Sequence, residues 1–245
     1  MLHYKTRKND QVINLQAKAP FEVALEGGLL PAVNGAVIGV ALNDKILYQS
    51  LEKQFNEKPH ISPPKTPVLH IKTDNTHIGY GDAIRIPSDM GAVFAGPSLG
   101  IVIGKKACRV TEETALDYVQ GYTIVNEVSL AEASFYRPAV KAKCRDTFCP
   151  IGPWVMDATD LDSPQNLAIK TYINDTLCHE TSSNQMIHSI EQVIAYISSF
   201  ITLEVGDMII AGTPLRTENL EINTGDVVVV DIEKIGRLVN PVVAE

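Results

Sequence analysis

A tight turn followed at once by an apolar run occurs at residues 206–211, Gly-Asp-Met-Ile-Ile-Ala, and again at residues 225–232, Gly-Asp-Val-Val-Val-Val-Asp-Ile. Gly-Asp pairs favour tight turns, and β-branched residues favour the pleated backbone of a strand. Further apolar runs at 35–42, 99–103 and 121–128 are typical of buried strands. About ten short strands and few helices are predicted, without the regular strand–helix alternation of a parallel sheet. The sequence therefore predicts a mainly β protein with a few helices, an α+β fold.

The clearest helix is predicted at residues 190–203. Ser189 and Gln192 have the spacing of a capping box, and apolar residues at 190, 193, 194, 197, 200 and 201 follow the helical period. We expect this helix to pack on a sheet. A second helix is predicted at 112–119 behind Thr111, and one or two helical turns at 47–55.

Length and composition limit the class of protein. The chain has 245 residues, 45% of them hydrophobic and 20% charged, with a formal net charge of −8. This balance disfavours a nucleic-acid partner, which needs a basic face. No apolar run approaches the roughly 18 to 20 residues that span a bilayer, and no apolar segment of a secretory signal follows the basic start. We therefore expect a cytoplasmic protein without a nucleic-acid or membrane partner, in which residues 1–33 form an extension and 34–245 the main domain.

Two motifs are given ordinary structural interpretations. The four cysteines, at 108, 144, 149 and 178, contain no C-x-x-C pair, so we expect reduced thiols rather than a zinc site. Residues 96–100, Gly-Pro-Ser-Leu-Gly, match the G-x-S-x-G pattern of serine hydrolases. That motif needs a helix after the serine, whereas a strand is predicted here. We therefore expect an ordinary turn.

The densest polar cluster in apolar surroundings lies at residues 126–146. Glu127 ends a predicted buried strand, and the cations Arg137, Lys141, Lys143 and Arg145 follow within twenty residues. One carboxylate followed by several cations is suited to holding a metal or binding a dicarboxylate. A solvated surface of ion pairs explains the same pattern equally well.

Several stretches resemble the fumarylacetoacetate hydrolase family, from about Gly35 to the C-terminus. They are residues 99–105, 117–123, 143–154 (Lys-Cys-Arg-Asp-Thr-Phe-Cys-Pro-Ile-Gly-Pro-Trp), 201–214 and 236–240. Within the family, residues 127–146 are most similar to the N-terminal half, or separate N-terminal-type subunit, of the isomerase/decarboxylase of the 4-hydroxyphenylacetate pathway.

The resemblance implies a β roll or sandwich with an active site at one mouth, residues 34–245 being the catalytic domain. It implies a Mg²⁺ or Mn²⁺ ion that chelates a 2-oxo acid. It also implies decarboxylation of 5-oxopent-3-ene-1,2,5-tricarboxylate and isomerisation of 2-hydroxyhepta-2,4-diene-1,7-dioate. By the same similarity, Lys143 is the catalytic lysine, Thr213 contacts the substrate carboxylate, and Arg137 binds substrate in place of a family arginine that falls at Ala131.

The sequence departs from the family pattern at the metal site. Gly96 and Ser98 stand where the family has a Glu-x-Glu pair, and only Glu127 is retained as a ligand position, where the family has Asp. The family's proton-handling His and Glu are replaced by Leu47 and Ser50. Because Mg²⁺ needs several oxygen ligands, we expect weak metal binding by this chain alone.

Three functional interpretations remain open. The first is an enzyme subunit of the pathway, working with a C-terminal-type paralogous subunit or as a homodimer on a small 2-oxo di- or tricarboxylate. The second is a catalytically silent structural subunit that supports a metal-bearing paralogue. The third is a self-sufficient 2-oxo acid decarboxylase or lyase.

Overall fold

A computed structural model describes residues 1–8, 11–20, 28–58, 62–88, 91–131, 138–214 and 218–245. These residues form seventeen strands and four α-helices, so the mainly β prediction is confirmed. The strands are β1 Leu2–Lys8, β2 Gln11–Ala17, β3 Leu29–Leu30, β4 Val37–Ala41, β5 Val68–Lys72, β6 His77–Ile78, β7 Ile84–Ile86, β8 Val93–Phe94, β9 Pro97–Ile103, β10 Val119–Asn126, β11 Ser129–Leu130, β12 Cys149–Asp157, β13 Ala168–Ile173, β14 Thr176–Ser182, β15 Met208–Ile210, β16 Val227–Ile232 and β17 Gly236–Ala244. The α-helices are α1 Lys45–Ser50, α2 Glu52–Phe55, α3 Val140–Lys143 and α4 Ile190–Ser198.

The strands form two large sheets. The first has the order β2-β1-β12-β10-β9-β15-β4-β5, with β3 paired to β1 and β6 to β12. The second has the order β14-β13-β16-β17-β7, and β11 pairs separately with β8. In the first sheet β15 runs antiparallel to β9 and parallel to β4, whereas β4 and β5 are antiparallel. In this order β5 lies at one edge and β10 near the middle, yet a side chain of β5 contacts the segment that follows β10, as described below.

Strand β9, inside the first sheet, is buried on both faces. Along β9, Leu99, Ile101 and Ile103 belong to a core shared with α4 and the second sheet, whereas Val102 belongs to a core on the opposite face. The alternation follows from the two-residue period of a strand. The continuous apolar sequence of residues 99–103 is thus explained by burial on both sides.

The sequence predictions for the helices need two corrections. The capping box of Ser189 and Gln192 is present and α4 packs on the sheets, but α4 ends at Ser198. Phe200 therefore lies after the end of the helix and is 60% exposed. The apolar spacing in the sequence continues to this residue, but the helical backbone does not. The segment Glu112–Tyr118 is a 3₁₀ helix rather than an α-helix.

Residues near the N-terminus contribute to the first sheet. Strand β1 pairs with β12, β2 and β3. Leu2, Tyr4 and Leu29 form a small core with Trp154. Within the part of the chain that the structure describes, no helix is long and apolar enough to cross a membrane.

Candidate active site

Strand β5 supplies two polar side chains to one face of the first sheet. His70 and Lys72 are two residues apart and therefore point to the same side. They lie opposite Gly39 and Val37 of β4. A Cβ atom on Gly39 would lie 2.2 Å from His70 Nε2, so the imidazole ring rests on the bare backbone of Gly39. Glycine at this position thus gives the ring its place.

Glu127 follows directly after the last residue of β10 and is fixed to the start of β9. The Glu127 amide donates to the Gly96 carbonyl at 2.7 Å. The Gly96 amide donates to Asn126 Oδ1 at 2.8 Å. A Cβ on Gly96 would lie 2.2 Å from the Glu127 carbonyl oxygen, so this close approach requires glycine. Glycine at position 96 therefore has a packing role.

Lys143 is the last residue of α3 and is 4% exposed. Its backbone carbonyl accepts a hydrogen bond from Lys72 Nζ at 2.5 Å. The same ammonium donates to the Val128 carbonyl at 3.1 Å. Lys72 thus ties the end of α3 to the segment that carries Glu127.

The three elements meet at a single carboxylate oxygen. Glu127 Oε1 lies 2.8 Å from Lys143 Nζ and 2.6 Å from His70 Nε2. Glu127 is 1% exposed, and this burial by itself favours a neutral carboxyl. The attraction of His70, Lys143 and Lys72, together with the hydrogen bond from His70, outweighs burial and holds the pKa of Glu127 well below its usual range. Because an ionised carboxylate only accepts hydrogen bonds, His70 Nε2 carries the hydrogen in this contact.

Two other buried groups adjoin this cluster. Burial lowers the pKa of Lys72, although the nearby Cys149 and Glu127 oppose that shift. Burial raises the pKa of the Cys149 thiol to about 12. Cys149 is therefore a protonated core thiol rather than a nucleophile. All four cysteines are free, as expected from the sequence.

The segment after β15 lies on the other side of Gly96. A Cβ on Gly96 would come 3.2 Å from Thr213 Cγ2, so Gly96 lies between Thr213 and the Glu127 backbone. The ordinary turn predicted for residues 96–100 is wrong, because β9 already begins at Pro97 and Ser98 lies fully buried within the strand. Its hydroxyl donates to the Gly212 carbonyl at 2.7 Å and lies 3.3 Å from the Gly212 amide. Ser98 thus holds the Gly212–Thr213 segment in place.

The sequence-predicted site residues are partly brought together. Lys143 and Glu127 are in contact and buried, so a fully solvated ion-pair surface is the wrong interpretation for these two residues. Thr213 adjoins Gly96, and Arg137 lies outside the described residues. The catalytic and binding roles of these residues stay predictions. Leu47 and Ser50 lie on α1, where the Ser50 hydroxyl donates to the Leu47 carbonyl.

Sequence reasoning missed His70 and Lys72. Their signal was present as two basic side chains at alternate positions of the partly apolar stretch 68–72, which would place them on one face of a strand. The contact of His70 with Glu127, which lies 57 residues later in the sequence, depends on the long-range arrangement of the strands.

The described residues do not form a metal site. Among them, no group of three or more His, Cys, Asp and Glu side chains is arranged to hold a metal ion. The described partners of the Glu127 carboxylate are the imidazole of His70 and the ammonium of Lys143. The residues described here do not fit the hard oxygen shell that Mg²⁺ or Mn²⁺ prefers.

Comparison with proteins of known sequence gives a clear relationship. The chain is 41% identical over 213 residues to the 4-hydroxyphenylacetate degradation bifunctional isomerase/decarboxylase of Escherichia coli. This alignment covers 87% of the chain and 48% of the relative, so the chain spans about half the length of that protein.

Solved structures share the fold. The 2-hydroxyhepta-2,4-diene-1,7-dioate isomerase of Mycobacterium marinum superposes with a TM-score of 0.81 and 29% identity, covering 100% of this chain and 99% of its own. The maleylpyruvate hydrolase of Sphingobium sp. SYK-6, solved with manganese(II) and pyruvate, superposes with a TM-score of 0.72 and 25% identity, covering 89% of this chain and 74% of its own. Residues 36–243 match the family described as fumarylacetoacetate (FAA) hydrolase C-terminal. The chain therefore belongs to the fumarylacetoacetate hydrolase family.

Proposed function

We propose that the chain is a cytoplasmic enzyme subunit of the 4-hydroxyphenylacetate pathway, with residues 34–245 as its catalytic unit. It decarboxylates 5-oxopent-3-ene-1,2,5-tricarboxylate and isomerises 2-hydroxyhepta-2,4-diene-1,7-dioate. Support comes from the similarity to the bifunctional isomerase/decarboxylase and from the fold shared with an isomerase of the second compound. The observation that carries the proposal is the buried contact of Lys143 Nζ with Glu127 Oε1 at 2.8 Å.

The Lys143 ammonium can stabilise the negative charge that develops in both reactions. In the decarboxylation, the bond to the departing carboxylate breaks, and its electron pair moves into the conjugated 2-oxo system as a dienolate. A fixed ammonium beside the 2-oxygen stabilises that negative charge. In the isomerisation, a proton leaves the 2-hydroxyl group and another is added at C5, which passes through the same kind of anion. We assign Lys143 to this charge, and Thr213 and Arg137 to the substrate carboxylates.

Glu127 and His70 give Lys143 its position. A lysine side chain has four rotatable bonds, so an unfixed ammonium would sample many positions. The contact with Glu127 Oε1 selects one of them, and His70 holds the same oxygen from the other side. Preorganisation of this kind lowers the cost of bringing charge to the reacting centre.

A second chain belongs to the proposal. Because the chain spans about half of its bifunctional relative, we propose association with a C-terminal-type paralogous subunit, or a homodimer if no paralogue is present. Obligate interfaces commonly bury more than about 2,000 Å². Size-exclusion chromatography with light scattering, on the chain alone and after co-expression, tests this. A stable, active species at 26.7 kDa would contradict it.

The activity is tested by following two signals separately. CO₂ release reports the decarboxylation, and the ultraviolet absorbance of the dienolate reports the isomerisation. Both are measured on the chain alone, on the paralogue alone and on the co-purified pair. We expect the pair to show both signals and the chain to contribute to at least one, as judged with Lys143→Met. Lys141→Met is the matched control, because Lys141 lies on the same helix but is exposed.

A silent structural subunit is the second candidate, since Gly96 and Ser98 occupy two carboxylate positions of the family. In that case the paralogue alone would give both signals at full rate once stabilised, and Lys143→Met would change neither. A self-sufficient decarboxylase or lyase would instead release CO₂ without the paralogue.

A further inference from the structure

A cavity of about 350 Å³ lies beside α3, within the size range of small-molecule sites. Strand β7 and the residue after it form one wall, and α3 with the turn that follows forms another. The lining residues from these two walls that matter below are Arg85, Pro87, Val140, Lys141, Cys144 and Arg145. Lys143 of the same helix is buried and contacts Glu127 instead. The reaction proposed above assigns no role to this cavity.

Arg145 has a buried polar atom without a partner. Its Nε atom is shielded from solvent and makes no hydrogen bond to any part of the chain that the structure describes. A guanidinium group carries five N–H donors and no acceptor, so only an acceptor atom can satisfy it. Buried polar groups in folded proteins nearly always have such a partner. Because Arg145 lines the cavity, a ligand oxygen placed there would supply the missing acceptor.

Arg85 lines the same cavity from β7, and its backbone is tied to the turn that carries Arg145. The Arg85 amide donates to Thr147 Oγ1 at 2.8 Å, two residues after Arg145. Parallel pairing with β17, where Arg85 lies opposite Val243, fixes the strand. Neither arginine side chain has an ion pair or hydrogen bond among the described residues. Two guanidinium groups on fixed backbones thus line one cavity with their donors unused.

The rest of the lining restricts the class of ligand. The carboxylates of Asp146 and Glu245 also line the cavity, so repulsion disfavours a highly charged ligand such as a nucleoside triphosphate. Asp146 Oδ1 accepts a hydrogen bond from Asn75 Nδ2 at 2.6 Å. A planar carboxylate matches the guanidinium fork. Val140, which is 55% exposed, and Pro87 offer apolar contact to a short carbon chain.

We propose that this cavity binds a small organic carboxylate, whose oxygens are held by Arg145 and Arg85. Lys141 also lines the cavity, but its exposed ammonium has no planar fork, and we assign it no contact. The inference does not depend on the proposed function, because neither arginine belongs to the site proposed for the reaction. Presence or absence of CO₂ release therefore does not bear on it.

Glutarate is the probe, and 1,5-pentanediol is its uncharged counterpart with the same number of carbon atoms. Both are titrated into the full chain by calorimetry at constant ionic strength, and inorganic phosphate is titrated in the same way. We expect saturable binding of one glutarate per chain in the millimolar range and none of the diol. Absence of saturable glutarate binding across that range would overturn the inference. Tighter binding of phosphate than of glutarate would reject the carboxylate class.

Cys144 reports where the ligand binds, because its thiol lines the cavity. The rate of alkylation of each cysteine by iodoacetamide is measured by mass spectrometry of peptides, with and without glutarate. Glutarate should slow the labelling of Cys144. It should leave Cys108 unchanged, since Cys108 is exposed and lies outside the described lining of the cavity. Calorimetric binding without protection of Cys144 would place glutarate elsewhere and reject the assignment.

Variants identify the groups that hold the ligand. Arg145→Met should weaken glutarate binding by roughly tenfold or more, the scale of a lost charge-assisted hydrogen bond. Arg85→Met should also weaken it. Arg237→Met is the matched control, because Arg237 is exposed and pairs with Asp231 at 2.8 Å away from the cavity lining. Wild-type affinity in an Arg145→Met protein that unfolds at the wild-type urea concentration would reject the proposal.

A conservative variant separates the guanidinium fork from its charge and guards against misfolding of Arg145→Met. Arg145→Lys keeps the positive charge but has no planar fork. We expect its affinity for glutarate to lie between those of wild type and Arg145→Met. Wild-type affinity in Arg145→Lys, with wild-type protection of Cys144, would contradict the role given to the Arg145 fork.

Discussion

Two lysine–glutamate pairs of almost equal length lie in opposite surroundings. Lys143 and Glu127 are 2.8 Å apart, and their side chains are 5% and 2% exposed. Lys106 and Glu204 are 2.7 Å apart, and their side chains are 65% and 58% exposed. Distance alone does not separate the two pairs. Burial and the added contact of His70 make the first pair chemically distinct, because solvent screens the charges of the second pair.

The largest expected effect is on stability. Replacing Lys143 by Met leaves Glu127 buried beside one fewer cation. Loss of one partner from a buried pair costs about 3–5 kcal/mol. We expect the free energy of unfolding to fall by that amount in urea titrations, whereas Lys141→Met should leave it nearly unchanged. A Lys143→Met protein as stable as wild type would place this pair in the same category as the exposed one.

Acid should weaken the buried pair. The folded-state pKa of Glu127 is lowered, so its ionised form stabilises the fold fully above the unfolded value of about 4.3. This contribution is lost as pH falls through the lower folded-state pKa. We expect the stability difference between wild type and Glu127→Gln to shrink as pH drops below about 4.3, in unfolding curves recorded across that range. Glu204→Gln is the exposed control, and a pH dependence equal in both variants would contradict the comparison.

The role of His70 can be tested through its neighbour Gly39 without changing a charge. Gly39→Ala would place a Cβ 2.2 Å from His70 Nε2 and push the ring away from Glu127. Overpacking of this kind costs roughly 1–3 kcal/mol, and displacement of a positioned group should lower turnover roughly tenfold or more. Gly91→Ala is the matched control, since its Cβ would meet no atom within 4 Å. Full turnover in Gly39→Ala would contradict the positioning role given to His70.

The exposed pair should give the smallest effect. The hydrogen bond and charge of Glu204 raise the pKa of Lys106, but both side chains are exposed to solvent. We expect Lys106→Met to leave the midpoint of urea unfolding within experimental error at physiological salt. A clear loss of stability would show that exposure is a poor guide to the strength of these pairs.

The sequence predicted the strand-rich class, because strand formation by β-branched runs after Gly-Asp turns depends on local sequence. It also predicted the start of α4, since the capping box of Ser189 and Gln192 is local. The end of α4 was predicted too late. Phe200 and Ile201 keep the apolar period, yet the helix has already ended at Ser198.

Part of the candidate site was indicated by the sequence. The polar cluster at 126–146 contained Glu127 and Lys143, and the family resemblance gave them roles, but their contact and burial emerge from the structure. His70 escaped because its role depends on the pairing of β4 with β5 and on the approach of β10. The structural roles of Gly96 and Ser98 were not predicted for the same reason. The sequence showed only that carboxylates expected from the family resemblance were absent at these positions.

We propose that the buried Lys143–Glu127 pair is the chemical centre of the protein. The most direct measurement is the rate of CO₂ release and of dienolate turnover in Lys143→Met and Lys106→Met, purified with the paralogue and confirmed as folded. We expect turnover to fall by roughly 10² or more in Lys143→Met, the scale of a lost electrostatic stabiliser, and to be unchanged in Lys106→Met. Equal turnover of the folded Lys143→Met variant and wild type in both assays would contradict it.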